Sequence, residues 1–432
     1  MRILFLSHRL PFPPDKGDKI RAFHFIRCLA KKHEVDVAAL ADDPADLDPA
    51  RHANLKKHCR RLDVVWRSKT RARAAAALFA IPQGAAASLP FFYSAKLAAI
   101  VSARLARGEY DAVIAHSAPM AKYVPSTAKV IRIADLCDVD SEKWQQYAER
   151  APWPKRLIFS REAFHLRRWE SRLAREWDCV AVASAPEAAI FRKFCSEGQV
   201  AVLPNGVDSD FFSPRSNVPR DAATVLFMGA MDYLPNIEGV LWFHKEVWPK
   251  IRAAMPHATF TIVGPRPVDA VRALDDLGRT GGEPTGTRVT GYVDDVRDPL
   301  SRATVAVAPL HIARGVQNKV LEAMAAGVPV VSTTAAWEGV FATPGRDLLT
   351  ADTSERFAES VVRLLRTPAL REALGVNGRA AVVANHSWDA HGRTLESLCA
   401  SGRPDMVRER AVVGVKSAGA VTSAVAVEGT VA

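Results

Sequence analysis

The sequence predicts an α/β fold of two doubly wound, parallel-sheet, Rossmann-like domains facing each other across a cleft. Three observations carry this reading. Short apolar runs alternate with helical stretches, as at Arg2–Ser7 (RILFLS), Glu34–Leu40 (EVDVAAL) and Thr224–Met228 (TVLFM); such runs read as strands buried on both faces. The order strand, loop, helix, strand occurs near residue 2 and starts again near residue 224, which is the pattern of a parallel sheet. Between the two lies Pro204-Asn205-Gly206, a strong turn signal, followed by the Pro- and Ser-bearing stretch 209–221. The domains are therefore placed at 1–203 and 223–387, with a linker at 204–222, a returning helix at 388–400 and a disordered Ala/Val/Gly/Ser-rich tail at 401–432.

Composition narrows the function classes. A chain of 432 residues suits two or three domains. The formal charge of +11 allows an anionic partner, but no nucleic-acid motif and no basic block interleaved with aromatics occurs, so nucleic acid is not expected. The six cysteines (Cys28, Cys59, Cys137, Cys179, Cys195, Cys399) lack metal-ligand spacing and suggest reduced thiols in the cytoplasm. Met1–Leu6 is too short for a signal peptide and no run reaches the length of a membrane span.

The chemistry concentrates in Arg314–Thr333, RGVQNKVLEAMAAGVPVVST. A helix is expected over Gln317–Ala326, closed by Gly327 in a left-handed conformation, with Val328, Val330 and Val331 entering a buried strand. Free amides at a helix start suit a phosphate. Lys319 adds a cation there, and Glu322, on the same face, can accept from a ribose diol. The unit reads as a nucleoside diphosphate site. LEAMAAGVPVV resembles the donor motif of the retaining family-4 glycosyltransferases, whose fold is GT-B. Glu322 matches the second glutamate of that motif; Arg314 stands where the first would be.

Taken in order, Gly17 precedes a helix from about Ile20 to Lys32 and lets backbone approach a bound group. The family has a proline- and glycine-bearing loop here that faces the donor phosphates. Strands follow at Leu62–Trp66, Tyr110–His116 and Lys129–Ala134. The basic, aromatic stretch 67–101 has two readings, helices packed on the sheet or peripheral contact with an anionic membrane. His116 lies at a strand's carboxyl end. Asp135, Asp138 and Asp140 cluster after the next strand; Asp135 or Asp138 is expected on the acceptor side, and Asp140 or Ser141 as a helix cap. The Arg-rich helix Pro154–Ala174 reads mainly as a solvated face. Ser184 and Glu187 form a capping-box pattern. In the second half, the loop Gly229–Asn236 carries Asn236, which can donate to a phosphate, where relatives place Arg and Lys, so charge for the pyrophosphate falls to Lys319 and to Arg266 or Arg314, with the amides from Gly315 to Asn318 assisting. Strands are expected at Thr259–Val263, Val289–Val293 and Ala303–Pro309, and a helix at Ile237–Trp248.

The openings SHRLPFPPDKGDKIR, DLCDVDSEKW and GVQNKVLEAM together resemble the sugar transferases associated with PEP-CTERM/exosortase exopolysaccharide systems. That resemblance implies transfer of a sugar, with retention, from a nucleotide-sugar donor to a lipid-linked or polysaccharide acceptor, with no metal and no cofactor. Two other readings stand beside it. A nucleotide-sugar epimerase of the same fold would turn over donor without acceptor, and a non-enzymatic nucleotide-sugar sensor, suggested by Arg314, would show no turnover. An NAD-dependent oxidoreductase lacks its glycine fingerprint.

Overall fold

The computed structural model describes residues 1–80, 84–196, 198–215, 217–221, 223–275, 286–313 and 316–403. Arg314, Gly315 and the tail from 404 lie outside them.

Each half builds one parallel sheet. The first contains β1 (Arg2–Ser7), β2 (Glu34–Ala41), β3 (Arg61–Trp66), β4 (Ala112–His116), β5 (Ile131–Cys137), β6 (Cys179–Val182) and β7 (Val200–Val202), in the order β3-β2-β1-β4-β5-β6-β7. The second contains β8 (Thr224–Met228), β9 (Thr259–Val263), β10 (Thr287–Gly291), β11 (Val305–Ala308), β12 (Val330–Ser332) and β13 (Leu349–Thr350), in the order β10-β9-β8-β11-β12-β13. The strand order reverses between β1 and β4 and again between β8 and β11. Crevices for ligands open outside the carboxyl ends of strands at such points. Strands such as β1 and β4 are buried on both sides because helices cover both faces.

Local departures from the sequence reading have physical causes. The first helix starts at Gly17, three residues earlier than expected. β5 runs on to Cys137 through a register irregularity after Asp135, so Asp135 is a residue of the sheet and not of the loop beyond it. The expected helix 237–248 is two helices, Leu234–Trp242 and Trp248–Ala254, joined by a π turn over Phe243–Val247; Pro249 has no amide to continue the ladder. Gly327 does take a left-handed conformation, at φ 68°.

After the second sheet the chain returns. The helix Trp388–Ser401 packs on the helix Gly17–Leu29, and Leu395, Leu398 and Cys399 enter the core of the first domain. Trp388 stacks flat on His24, with ring centroids 4.7 Å apart, and meets Phe25 edge-on at 5.4 Å. Gly392 permits the contact: a Cβ there would lie 2.6 Å from that of Cys28. In the stretch 67–101, Leu89 is buried and Arg67, also buried, lies over the rings of Phe91 and Phe92. Leu89 packs with Leu166, Trp144 and Trp169, and Phe92 against the core beneath the sheet, whereas Leu78 is exposed. Among the described residues no helix is long and apolar enough to cross a membrane.

Because Trp388 is buried and joins the returning segment to the first domain, Trp388→Ala should cost about 3–5 kcal/mol of stability. Urea unfolding followed by circular dichroism measures it.

Candidate functional site

Two helix starts converge between the lobes. A Cβ placed on Gly17 would lie 3.8 Å from Asn318 Nδ2, which sets the first turn of the helix Gly17–Leu29 against that of the helix Asn318–Ala325. The residues before them, Lys16 and Gln317, supply no side-chain cap. First-turn amides have no acceptor within their own helix, and the positive ends of both dipoles meet here. An anion fits this place.

Lys319 and Glu322 stand on the Asn318–Ala325 helix one turn apart and half-buried. Burial pushes the Lys319 ammonium down to about 8, an effect that Glu322 opposes. Burial pushes the Glu322 carboxyl up to about 7, and Lys319 opposes that shift. Both charges are thus short of partners. Lys319 Nζ donates to Gln317 Oε1 at 3.4 Å and lies 5.6 Å from the centre of the Phe227 ring. Gly229 makes room for this arrangement: a Cβ there would lie 2.6 Å from Asn236 Nδ2 and 3.3 Å from Lys319 Cε.

Asp135 does not face an acceptor. It is 1% exposed, and Arg21, equally buried, donates to both its oxygens at 2.6–3.1 Å. His116 Nδ1 lies 2.8 Å from Asp135 Oδ2, and His116 Nε2 lies 3.0 Å from the Asp18 carbonyl. Burial alone would raise the Asp135 pKa; Arg21 and His116 hold it well below the usual carboxylate range. The expectation of a catalytic Asp135 is therefore replaced by a positioning role. Arg21 passes the order onward, donating to the Leu203 carbonyl and to Asn205 Oδ1, both at 2.8 Å. Asn205 Nδ2 then donates to Asn318 Oδ1 at 3.3 Å. This contact leaves Asn318 Nδ2 directed toward Gly17. His116, Asp135 and Cys137 offer possible ligand atoms within 4.8 Å of one another, but the Arg21 charge on the same carboxylate opposes a cation there.

Asp138 lies half-buried just past the end of β5, near Asp140 and Lys143. Neither Asp140 nor Ser141 caps the helix Asp140–Arg150. Val139 precedes it, its amide bonded to Glu187, and the Ser141 amide bonds Glu170. Ser184 does accept from the Glu187 amide, so only half of the expected capping box forms. Asn236 is buried and its Nδ2 donates to the Ala230 carbonyl at 2.9 Å. It shapes its own loop and does not reach for a phosphate. Arg266, at φ 53°, is half-exposed and paired with Asp232 at 2.5 Å. Asp15 and Asp43 of the first domain lie within its electrostatic reach, so it stands at the cleft. Gly315 lies outside the described residues.

Sequence reasoning missed Arg21, and it read Asn205 and Gly229 only as turn and loop residues. Arg21 lies four residues after Gly17 and so shares its helix face; a buried arginine on the face of a candidate phosphate loop was the available signal.

Comparison with known proteins follows from this geometry. Residues 222–367 match the family described as "Glycosyl transferases group 1". The match covers most of the second domain and none of the first. A GDP-mannose-dependent monoacylated alpha-(1-6)-phosphatidylinositol monomannoside mannosyltransferase of Corynebacterium glutamicum is 28% identical over 219 residues, 46% of this chain and 55% of that protein. A phosphatidyl-myo-inositol mannosyltransferase of Mycobacterium leprae is 28% identical over 265 residues, 58% of this chain and 62% of that protein. The chain thus spans little more than half the length of these curated relatives. Sucrose-phosphate synthase from Thermosynechococcus elongatus superposes with a TM-score of 0.69 at 20% identity, covering 92% of this chain and 98% of that one. Anabaena HepE in complex with UDP and glucose gives 0.65 at 15% identity, covering 93% and 100%. The architecture is GT-B, and the second domain supplies Asn318, Lys319 and Glu322.

The two shifted groups set a pH window. A pyrophosphate favours charged Lys319, so affinity for a nucleotide sugar should fall as pH rises through about 8. A ribose diol needs ionised Glu322, so affinity should also fall as pH drops below about 7. Calorimetric titration across this range should give a bell, and Lys319→Met should remove its alkaline limb. In the same assay Asn205→Ala should weaken binding about fivefold to tenfold, as loss of a hydrogen-bonded partner does.

Proposed function

We propose that this chain transfers a sugar from a nucleoside diphosphate sugar to a hydroxyl of a lipid-linked or polysaccharide acceptor, with retention of anomeric configuration. The observation that carries the reading is the pair Lys319 and Glu322, lying beside two uncapped helix starts in a domain that matches the group 1 glycosyl transferases. Breaking the bond to the leaving group places negative charge on the pyrophosphate. Fixed amides and an ammonium aimed at that charge stabilise it without reorganising. Lys319 and the first-turn amides at Gly17 and Asn318 do this work, with Arg266 adding charge from the rim once it leaves Asp232. Glu322 holds the ribose hydroxyls, and Asp138 faces the acceptor. No step in this scheme calls for a metal ion.

The names of the curated relatives, both mannosyltransferases acting on phosphatidylinositol lipids, favour a lipid-bearing acceptor. A place in exopolysaccharide synthesis and the PEP-CTERM/exosortase subgroup rest on the sequence resemblance, and the cytoplasmic location on the pattern of cysteines.

Thermal unfolding in the presence of UDP-, GDP- and dTDP-sugars identifies the donor by mass action. With that donor, Glu322→Ala should weaken binding about tenfold to a hundredfold, as removal of a charged hydrogen-bond acceptor does. Unchanged affinity would take Glu322 out of the site.

A further inference from the structure

Two of the three acids of the helix Lys155–Glu176 are buried. Glu162 turns inward and accepts from the amides of Ala87 and Ser88, and Glu170 accepts from Ser141. The remaining acid, Glu176, pairs with Arg172 at 2.7 Å. Lys155, Arg156 and Arg168 are exposed, with no carboxylate partner among the described residues. Among these bases, and at the turn just before them, large apolar side chains face solvent: Trp153 is 77% exposed, Leu157 59%, Ile158 63% and Phe164 58%. Scattered exposed apolar residues are ordinary. Four gathered within twelve positions of this helix and the turn before it, interleaved with bases that lack a carboxylate partner, need a partner that is apolar inside and anionic at its surface.

We propose that this face docks the protein on an anionic lipid bilayer. Apolar side chains enter the headgroup boundary while lysine and arginine pair with lipid phosphates. An indole at the boundary is well placed, since its ring is apolar and its N–H polar. A second copy of the chain fits poorly, because it would set like charges against each other. The location gives the contact a use. The helices Asp140–Arg150 and Lys155–Glu176 form a hairpin, with Trp144 and Phe159 ring centroids 5.3 Å apart and Trp153 in the turn at its tip. Arg150, beside the tip, lies 3.8 Å from Glu238 of the second domain, and Lys143 lies over the Tyr233 ring at 6.0 Å. The docked tip therefore borders the mouth of the cleft and brings the acceptor side to the membrane. The docking itself does not require the proposed transfer activity.

Co-sedimentation of the full chain with vesicles tests this. Vesicles of phosphatidylcholine with one part in three phosphatidylglycerol should bind the protein. Phosphatidylcholine alone should bind it at least tenfold less, and salt should weaken the anionic binding. Leu157→Ser/Ile158→Ser and Lys155→Glu/Arg156→Glu should each lower partitioning at least tenfold, with the thermal midpoint and its shift by donor unchanged. Those two controls separate failure of the docking surface from failure to fold or to bind nucleotide. No binding to anionic vesicles, equal binding by both double variants, or self-association through this face in place of vesicle binding would overturn the proposal.

Discussion

Two helix starts from different sheets, neither closed by a side-chain cap, meet between the lobes at Gly17 and Asn318. First-turn amides have no acceptor within their own helices, and two positive dipole ends side by side repel. The arrangement asks for an anion. Lys319 sharpens the demand, since burial already strains its charge. Everything else in the cleft is arranged around this shortage. Gly17 and Gly229 keep the backbone close, Glu322 stands one turn along, and Arg266 waits at the rim on Asp232.

A second constraint holds the two lobes in register. The buried pair of Arg21 and Asp135 is not evidence of stability, because desolvation offsets much of its attraction. Its use is geometric. A guanidinium fixed on Asp135 has its remaining donors aimed at Leu203 and Asn205, which begin the connection between the domains. Asn205 then reaches the first residue of the second domain's ligand helix. The order of the first sheet is thereby carried to the Asn318 side chain beside Gly17. The returning helix, seated through Trp388 on His24, ties the lobes a second time.

Much of this was legible in the sequence. Apolar runs marked β1, β8 and β9 to the residue because strands buried on both faces leave little ambiguity. The pattern Gln317–Val331 announced helix, left-handed glycine and strand, and with them Lys319 and Glu322. What escaped was long-range. The fate of Asp135 depends on Arg21, 114 positions earlier, and no local pattern records that partner. Three acids in a row looked like chemistry, yet one lies within the sheet and the helix they precede takes its end bonds from Glu187 and Glu170. Asn236 looked like a phosphate donor until its own loop claimed it. The Arg-rich helix read as a solvated face because periodicity does not reveal that its acids turn inward.

The most direct test is a crystal structure of the chain with a nucleoside diphosphate bound. The account predicts the pyrophosphate between Gly17 and Asn318, Lys319 Nζ within about 3 Å of a phosphate oxygen, and the Glu322 carboxylate on the ribose hydroxyls. Phosphates bound elsewhere, with neither Lys319 nor Glu322 touching the nucleotide, would contradict it.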